Sequence, residues 1–390
     1  MLKRSHYEGR KGLFATTGLL IAMAALFPAL TSSCAALGEN PGGERLRRIE
    51  ASPHYVDGAF ANLEPTPMNT GEDSSFKNYW NFLFNDWERI RPEVPLSMVK
   101  TDLESLPDGD LLLWLGHSSL YVQLEGVRML VDPVFMDYAS PVFFLNTAFK
   151  GDYPYSVEDF IARGVDVVLI THDHYDHLEM DTVHRLGRAG VTFICPLGVG
   201  QHLESWGVSP ENILEGDWGD SLNLYGLNFN FVTARHFSGR FINGNQTLWT
   251  GYMIECKNGA PLYISGDSGY GTHFEELGER FPAPRLALLE CGQYNPNWAL
   301  IHMTPEETAR AGADVMAKAV LPLHAGRFAL SSHTWDDPYL RLEKACQAYD
   351  YQLLTPRMGE IVWLDGRPQS FTRWYADDAA REARYLKEEP

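Results

Sequence analysis

The segment from His172 to His177 limits the possible folds of this chain more than any other feature. It reads HDHYDH and follows VDVVLI, a short apolar run typical of a buried strand. Alternate side chains of an extended segment project to the same side, so His172, His174 and Asp176 can converge. Imidazole and carboxylate are ligands that divalent ions such as Zn²⁺ prefer. We therefore predict a metal site in a loop between a strand and a helix, because burying several imidazoles without a partner is costly.

Three further ligand-type residues stand alone at the ends of later apolar runs. His236 follows LNFNFVTAR, Asp267 follows PLYISG, and His324 follows AVLPL. Binding sites of α/β folds are assembled where strands leave the sheet. Taken singly, each residue is explained equally well as a metal ligand or as an ordinary polar residue at the end of a strand. The repetition of one placement favours a joint role, in a binuclear site that needs more ligands than one loop provides.

The residues around these positions resemble a known family. The H-x-H-x-D-H motif, a lone histidine, an aspartate in a GD turn and a late histidine are similar to the metallo-β-lactamase superfamily. The segments WLGHSSLYVQLEGVRMLVDPVF, ISGDSGYGTHFEELGERF, YNPNWALIHMTPEETARA and LPLHAGRFALSSH resemble the branch that contains N-acyl-phosphatidylethanolamine phospholipase D, over roughly residues 55–340. The resemblance implies an α/β fold, a four-layer αββα sandwich, with two Zn²⁺ ions at the edge between the sheets.

The resemblance also implies a role for each candidate ligand. One zinc site would use His172, His174 and His236. The other would use Asp176, His177 and His324. Asp267 would bridge the two metals. A metal-bridging hydroxide would attack the substrate, so Asp176 and Asp267 are the predicted catalytic carboxylates. Asp132, in LVDP, would orient a ligand histidine through its other ring nitrogen.

The roles of other polar and aromatic residues are left open between alternatives. His117 either faces the metals or bonds a backbone turn. His302 either contacts the substrate, as the resemblance favours, or hydrogen-bonds the free backbone groups at the start of the helix that follows it. Tyr294 and Trp298 are expected to line the path of a lipid substrate, although Trp298 fits a core position equally well. Asp173 lies off the ligand pattern and is expected to shape the loop.

The first 34 residues differ from the rest of the chain. Basic residues at positions 3, 4, 10 and 11 precede an uncharged stretch, 12–36, which is the pattern of an export signal. The sequence LTSSC, ending at Cys34, resembles a bacterial lipobox, in which the cysteine is lipidated. A lipoprotein signal is favoured over an uncleaved anchor helix and over an ordinary cleaved signal. We therefore expect export to the bacterial cell envelope and a membrane tether.

Charge and composition set the remaining expectations. With 32 basic and 51 acidic residues, the formal net charge is −19, which repels phosphate backbones and excludes nucleic acid as a partner. We divide the chain into a signal or anchor (1–34), a linker and N-terminal arm (35–74), a hydrolase domain (75–372) that begins with a helix over Phe76–Ile90, and a charged tail (373–390). The sequence leaves the oligomeric state open.

The expected function follows from the resemblance. It is a zinc-dependent phosphodiesterase of phospholipase D type that hydrolyses N-acyl-phosphatidylethanolamine, or a related phospholipid, to N-acylethanolamine and phosphatidic acid. Other divalent transition metals accept the same ligands. One alternative is a metal-dependent hydrolase of a soluble ester, such as a sugar-phosphate lactone. Another is a non-catalytic, metal-binding envelope lipoprotein. β-Lactam hydrolysis is not implied, because a fold does not set the substrate.

Overall fold

The computed structural model describes residues 34–71, 87–240 and 244–376. The predicted signal or anchor and the charged tail therefore lie almost wholly outside the described residues. Of the helix predicted over Phe76–Ile90, only the last turn lies within them. Among the helices of the described ranges, none combines the length and the apolar character that a bilayer crossing requires.

Two seven-stranded sheets form the centre of the protein, and each is antiparallel in one half and parallel in the other. In spatial order, the first sheet contains β16 (Ile361–Trp363), β3 (Leu111–Trp114), β4 (Leu120–Leu124), β5 (Val127–Val131), β6 (Val167–Leu169), β7 (Thr192–Pro196) and β8 (Ile213–Gly216). The second sheet contains β15 (Gln352–Leu353), β14 (Ala319–Leu323), β13 (Leu286–Glu290), β12 (Leu262–Ile264), β11 (Gly251–Glu255), β10 (Leu227–Val232) and β9 (Ser221–Leu224).

Helices cover the outer face of each sheet. Before the sheets come α1 (Gly43–Glu50), a hairpin of β1 (Tyr55–Val56) and β2 (Ala59–Phe60), and α2 (Trp87–Ile90). The first sheet is covered by α3 (Val157–Arg163), α4 (Met180–Arg188) and α5 (Val199–Ser205). The second is covered by α6 (His273–Arg280) and α7 (Pro305–Asp314), beside which α8 (Asp337–Ala345) packs. Short 3₁₀ turns span Pro210–Asn212, Pro296–Trp298 and Cys346–Ala348. These four layers confirm the predicted αββα sandwich.

The alternation of side chains along the strands explains the layers. In β3, Leu112 and Trp114 face the core between the sheets, whereas Leu111 and Leu113 face the helices. All four side chains are buried. A strand covered on both faces reads as a continuous apolar run, and the run LLLW in β3 has this character.

The parallel halves of the sheets bring the candidate functional residues to one edge. In the first sheet, Asp132 follows β5 and the loop 171–177 follows its parallel neighbour β6. In the second sheet, Asp267 follows β12 and His324 follows β14. The carboxyl ends of parallel strands meet at the same edge of a sheet, which is where α/β folds place their sites.

The segment predicted as a linker and arm is folded against the body. Ile49 of α1 and Phe60 of the hairpin are buried in one cluster with side chains of the loops that connect the strands. The Arg45 guanidinium bonds the carboxylate of Glu215 at 2.8 Å. As far as residue 71, this segment is thus an ordered arm on the body. A helix of two turns and a two-residue hairpin are too short to produce a periodicity that the sequence reveals.

Truncation of Ile49 tests the docking of this arm. Ile49→Ala should lower the free energy of unfolding by about 2–4 kcal/mol, because it leaves a cavity in a buried cluster. Equilibrium denaturation with urea measures the change. Val56→Ala, at an exposed position of the same arm, is the control and should stay within about 0.5 kcal/mol of the parent. Equal stabilities of the two variants would show that the arm does not pack as described.

Candidate metal centre

The loop after β6 is held in one conformation by local hydrogen bonds. The carbonyl oxygen of His174 accepts from the N–H of His177 at 3.0 Å and from that of Leu178 at 2.8 Å. The chain then enters α4, where the Glu179 side chain accepts two N–H groups of the first turn. This tight turn fixes the directions in which the imidazoles of the motif project.

Three histidines form the first group of candidate ligands. His172 Nε2 lies 2.9 Å from His174 Nδ1, and His236 Nε2 lies 3.2 Å from the same atom. His236 reaches the group from the end of the strand region of the second sheet, and its other nitrogen, Nδ1, donates to the carbonyl oxygen of Ile301 at 3.0 Å. This contact leaves Nε2 of His236 without a proton and directed at the group. The three nitrogens lie close enough to hold one metal ion.

A second group surrounds Asp176. Its Oδ2 lies 2.8 Å from His117 Nε2, 3.1 Å from His324 Nε2 and 3.4 Å from His177 Nε2. These four residues could together hold a metal ion. His324 follows β14. Gly292, which follows β13, lets these two backbone segments approach each other closely. A Cβ atom at Gly292 would lie 1.9 Å from the carbonyl oxygen of His324.

Asp267 lies between the two groups. Its Oδ2 is 3.1 Å from His324 Nε2 and 3.2 Å from His177 Nε2. On the other side, the same oxygen is 3.7 Å from His236 Nε2 and 3.8 Å from His172 Nε2. One carboxylate oxygen thus faces members of both groups, which is the position that a bridging ligand needs.

Burial and mutual contacts set the protonation of the cluster. Burial lowers the pKa of His172 and of His236 well below the usual range, so both rings are neutral. Burial opposes ionisation of Asp176 and Asp267, but nearby histidines, His177 foremost, hold the pKa of both carboxyl groups well below the usual range. These four groups are therefore in the forms that coordinate a metal, neutral imidazole and ionised carboxylate.

Among the buried atoms of the cluster that have no hydrogen-bond partner in the described residues are Asp267 Oδ1 and His177 Nε2. A buried polar atom without a partner costs about 1–3 kcal/mol. A divalent cation beside the bridging carboxylate would satisfy both atoms, and a set of imidazoles and carboxylates suits zinc and related transition metals. The residues present therefore fit a metal.

Asp132 supports the second group from behind. Its Oδ2 lies 2.8 Å from His177 Nδ1, while Thr171 donates its backbone N–H at 2.8 Å and its hydroxyl at 2.6 Å to the same carboxylate. Because the Asp132 carboxylate accepts the Nδ1 proton of His177, Nε2 is left to face Asp267. The structure thus places Asp132 where it can orient a ligand histidine.

His117 belongs to the cluster rather than to a backbone turn. Its Nε2 contacts Asp176, and its ring lies edge-on to His324 with 4.4 Å between centroids. The backbone of His117 has a left-handed φ of 53°, and its carbonyl accepts from the indole N–H of Trp114 at 2.9 Å. Of the two interpretations left open by the sequence, the structure favours the ring that faces the site.

Glu290 is a component that the sequence analysis missed. It ends β13 and is fully buried. Its Oε1 accepts a hydrogen bond from His302 Nδ1 and lies 3.5 Å from His324 Nδ1, while Oε2 accepts from the N–H of Ser268 at 2.5 Å. Glu290 therefore holds two rings of the site. The available signal was an acidic residue at the end of the apolar run LALLE, which needs a partner if it is buried.

Asp173 ties the motif loop to the rest of the fold. Its carboxylate accepts from the N–H of Gly239 at 2.8 Å and from the hydroxyl of Thr247 at 2.8 Å, and it lies 3.3 Å from His202 Nε2. Burial opposes its ionisation, but the neighbouring His202, followed by His174 and Arg240, outweighs burial and lowers the pKa of Asp173. This placement agrees with a residue that shapes the loop.

A pocket of about 270 Å³ opens onto both groups of ligands. His302 lines it beside Asp176 and Asp267, so the structure places His302 where a substrate would lie. The rest of the wall is largely apolar. The apolar lining residues are Met68, Phe237, Trp298, Ile301 and Leu330.

Of the two aromatic residues expected along the path of a lipid, only Trp298 lines this pocket. Its indole N–H donates to the carbonyl of Gln293 at 2.8 Å, which fixes the ring in the wall. Tyr294 does not line the pocket. Its hydroxyl donates to Asp337 and its ring stacks on His333 with 4.2 Å between centroids. The expectation for Tyr294 is therefore corrected: its contacts hold α8 against the loop that follows β13.

Two helix-covered sheets enclose a buried His/Asp cluster at the ends of their parallel strands, and this arrangement defines a protein with a site for metal ions. A family model described as a beta-lactamase superfamily domain matches residues 127–325, and this chain belongs to that superfamily. The match includes every candidate ligand after His117. The chain is therefore a metal-dependent hydrolase of this superfamily.

Individual relatives agree with this assignment. The chain is 37% identical to the uncharacterized protein Rv0906 of Mycobacterium tuberculosis, over 93% of this chain and 98% of that protein. It is 28% identical to N-acyl-phosphatidylethanolamine-hydrolyzing phospholipase D 1 of Caenorhabditis elegans, over 71% of this chain and 82% of that protein. Among solved structures, Igni18, a metallo hydrolase from Ignicoccus hospitalis, matches with a TM-score of 0.52 and 24% identity, over 65% of this chain and 97% of Igni18. The last comparison supports the fold.

The contact between Asp132 and His177 predicts an effect on metal affinity. Asp132→Asn should weaken metal binding by about 10–100-fold, because an amide is a poorer acceptor for the Nδ1 proton of His177. Competition with a chromophoric chelator measures the affinity. Asp57→Asn, in the exposed turn of the hairpin, is the matched control and should bind as the parent does. An unchanged affinity in Asp132→Asn would contradict the role given to Asp132.

Proposed function

We propose that this protein is a zinc-dependent phosphodiesterase of phospholipase D type. Its substrate is N-acyl-phosphatidylethanolamine or a related phospholipid, and its products are an N-acylethanolamine and phosphatidic acid. The observation that carries the proposal is the position of Asp267 Oδ2 between two groups of ligands at the base of a pocket with apolar walls. The name of the nematode relative supports the choice of substrate.

Two metal ions suit the distribution of the ligands. The first group, His172, His174 and His236, offers three nitrogens, and the second group forms around Asp176. A single ion cannot use both groups with Asp267 between them and keep ordinary ligand distances of about 2.0–2.2 Å. Two ions, held by the two groups with Asp267 between them, would use all the ligands. When bound, such a pair activates water and polarises phosphoryl oxygens.

The residues of the chain bind and orient the substrate. His302 lines the pocket, and its contact with Glu290 through Nδ1 fixes the ring in the wall where the phosphodiester would lie. Asp176 and Asp267 are ionised, so they offer charged carboxylate ligands to the metals. Apolar side chains of the wall, among them Phe237 and Leu330, suit the acyl part of a lipid and exclude water from the reacting bond.

The first test is release of N-acylethanolamine from N-acyl-phosphatidylethanolamine in mixed micelles, with metal content measured on the same sample. The parent protein should contain two metal ions per chain and release the product. Asp267→Asn should bind less metal and lose turnover, because it removes the charged ligand between the two groups. Asp57→Asn is the control and should keep both properties.

The outcomes separate the proposal from its rivals. Two metals without release from any phospholipid, together with activity on a soluble phosphodiester or lactone, would contradict the lipid substrate. Two metals without turnover of any ester would indicate a metal-binding protein without catalysis. Full turnover in Asp267→Asn would remove the metal mechanism itself.

We also propose that the protein is exported and tethered to the membrane of the bacterial cell envelope. The support is the signal-like N-terminal sequence and its lipobox-like end at Cys34. A tether places the pocket beside its proposed substrate, since phospholipid is confined to the membrane surface. Lipidation would need an accessible cysteine, and the Cys34 side chain is free and exposed.

Lipidation of Cys34 can be tested directly. In bacteria grown with radioactive palmitate, the parent chain should carry the label, and Cys34→Ser should not. Cys256→Ser, which changes a half-buried cysteine of the folded body, should remain labelled. Label that persists in Cys34→Ser would contradict the lipoprotein assignment.

A further inference from the structure

An apolar spur projects from the body close to the metal centre. We define the spur as residues 137–148, between β5 and α3. At its tip, Phe143 and Phe144 are each 64% exposed and Leu145 is 45% exposed. The two phenyl rings contact each other edge-on with 5.3 Å between centroids. Three consecutive large apolar side chains in water are costly, and such exposed groups mark a contact with a partner or a membrane.

The spur is a braced structure. Its two sides pair through hydrogen bonds from the N–H of Ala139 to the carbonyl of Asn146 at 3.0 Å and from the N–H of Ala148 to the carbonyl of Asp137 at 2.8 Å. The Arg91 guanidinium clamps its base by donating to the carbonyl of Thr147 at 2.8 Å. These bonds fix the backbone on both sides of the tip, so the three exposed side chains belong to an ordered segment.

The base of the spur packs on the loop that lines the metal site. Ala139 and Ala148 form a small apolar cluster with Phe328 and Leu330, which follow β14. Leu330 lines the pocket over the ligands, and the ring of Phe328 lies 5.2 Å from that of His117. A surface engaged by the tip is thus held next to the mouth of the pocket.

The charges around the tip do not favour docking by electrostatic attraction. A groove of about 630 Å³ beside the tip is lined by two cations and two carboxylates, Arg91, Lys150, Glu88 and Glu93. These charges cancel, and the whole chain carries a net charge of −19. An anionic partner would be repelled at long range, whereas a phenylalanine-rich tip gains free energy by entering the apolar layer below lipid headgroups.

We propose that the spur inserts Phe143, Phe144 and Leu145 into the surface of a phospholipid bilayer and so presents the pocket to the headgroup layer. The benefit of insertion rests on the proposed function, because it assumes a phospholipid substrate. The test of insertion does not depend on that function. Insertion is driven by apolar contact. It should therefore occur on zwitterionic phosphatidylcholine vesicles and persist at about 0.5 M salt, where charge interactions are screened.

Insertion can be measured at the tip itself, independently of any N-terminal tether. The full chain carrying Phe144→Cys is labelled with an environment-sensitive nitrobenzoxadiazole dye, with the unsubstituted chain labelled in parallel as background. Its emission should shift to the blue when phosphatidylcholine vesicles are added. Tyr225→Cys, in the exposed turn between β9 and β10, is the matched control and should not respond.

A functional readout uses the triple variant Phe143→Ser, Phe144→Ser and Leu145→Ser. It should lose about tenfold or more in kcat/KM on phospholipid in vesicles, because the surface contact is lost. It should keep the parent kcat/KM on the soluble phosphodiester bis(p-nitrophenyl) phosphate and the parent melting temperature. The control replaces three exposed apolar residues elsewhere with serine, Val56, Tyr225 and Met316, and should behave as the parent on both substrates.

The outcomes distinguish this proposal from the proposed function. No spectral shift at position 144, or a shift that needs anionic lipid and disappears with salt, would overturn insertion. So would light scattering that shows the parent to be a dimer which the triple variant converts to a monomer, since a second chain would then cover the tip. Insertion without release of any phospholipid product would support the docking and contradict the lipid substrate. Release of the phospholipid product without insertion would support the lipid substrate and contradict the docking.

Discussion

The contact of Asp267 Oδ2 with histidines on both of its sides is the interaction on which the site depends. Asp267 ends a strand region of the second sheet, whereas His172 and His177 come from the first sheet. Buried like this, an ionised carboxylate is stable only among groups that offset its charge. The sandwich must therefore bring the carboxyl ends of both sheets together, and the apolar core between the sheets fixes that distance.

The ligand loop and the strand-end residues were predictable because their signal is local. A motif of alternating histidines and aspartate has few other uses, and single residues after apolar runs share one edge in a parallel sheet. Glu290 was missed because it differs from a surface glutamate only in tertiary burial. Tyr294 was misplaced for the same reason: its sequence neighbours line the site, but its hydroxyl turns to Asp337. The helix and the hairpin of the N-terminal arm are too short to show a periodic pattern of apolar residues in the sequence.

In the proposed function, the remaining features would connect the metal centre to a lipid surface. The pocket has charged ligands at its base and apolar walls around His302, an arrangement that suits a phosphodiester joined to acyl chains. The spur and the pocket share the loop after β14, so attachment at one positions the other. On this account, a lipid tether would confine the protein to the membrane and the spur would set its orientation there.

In the proposed function, Asp267 would join two metal ions in one centre. X-ray absorption spectroscopy of the zinc-loaded protein tests it most directly, because it reports the neighbours of each absorbing ion. The account predicts a zinc–zinc distance of about 3.5–4 Å, with nitrogen and oxygen ligands, that disappears in Asp267→Asn. A spectrum from isolated zinc ions in the parent protein, without a metal neighbour at that distance, would contradict it.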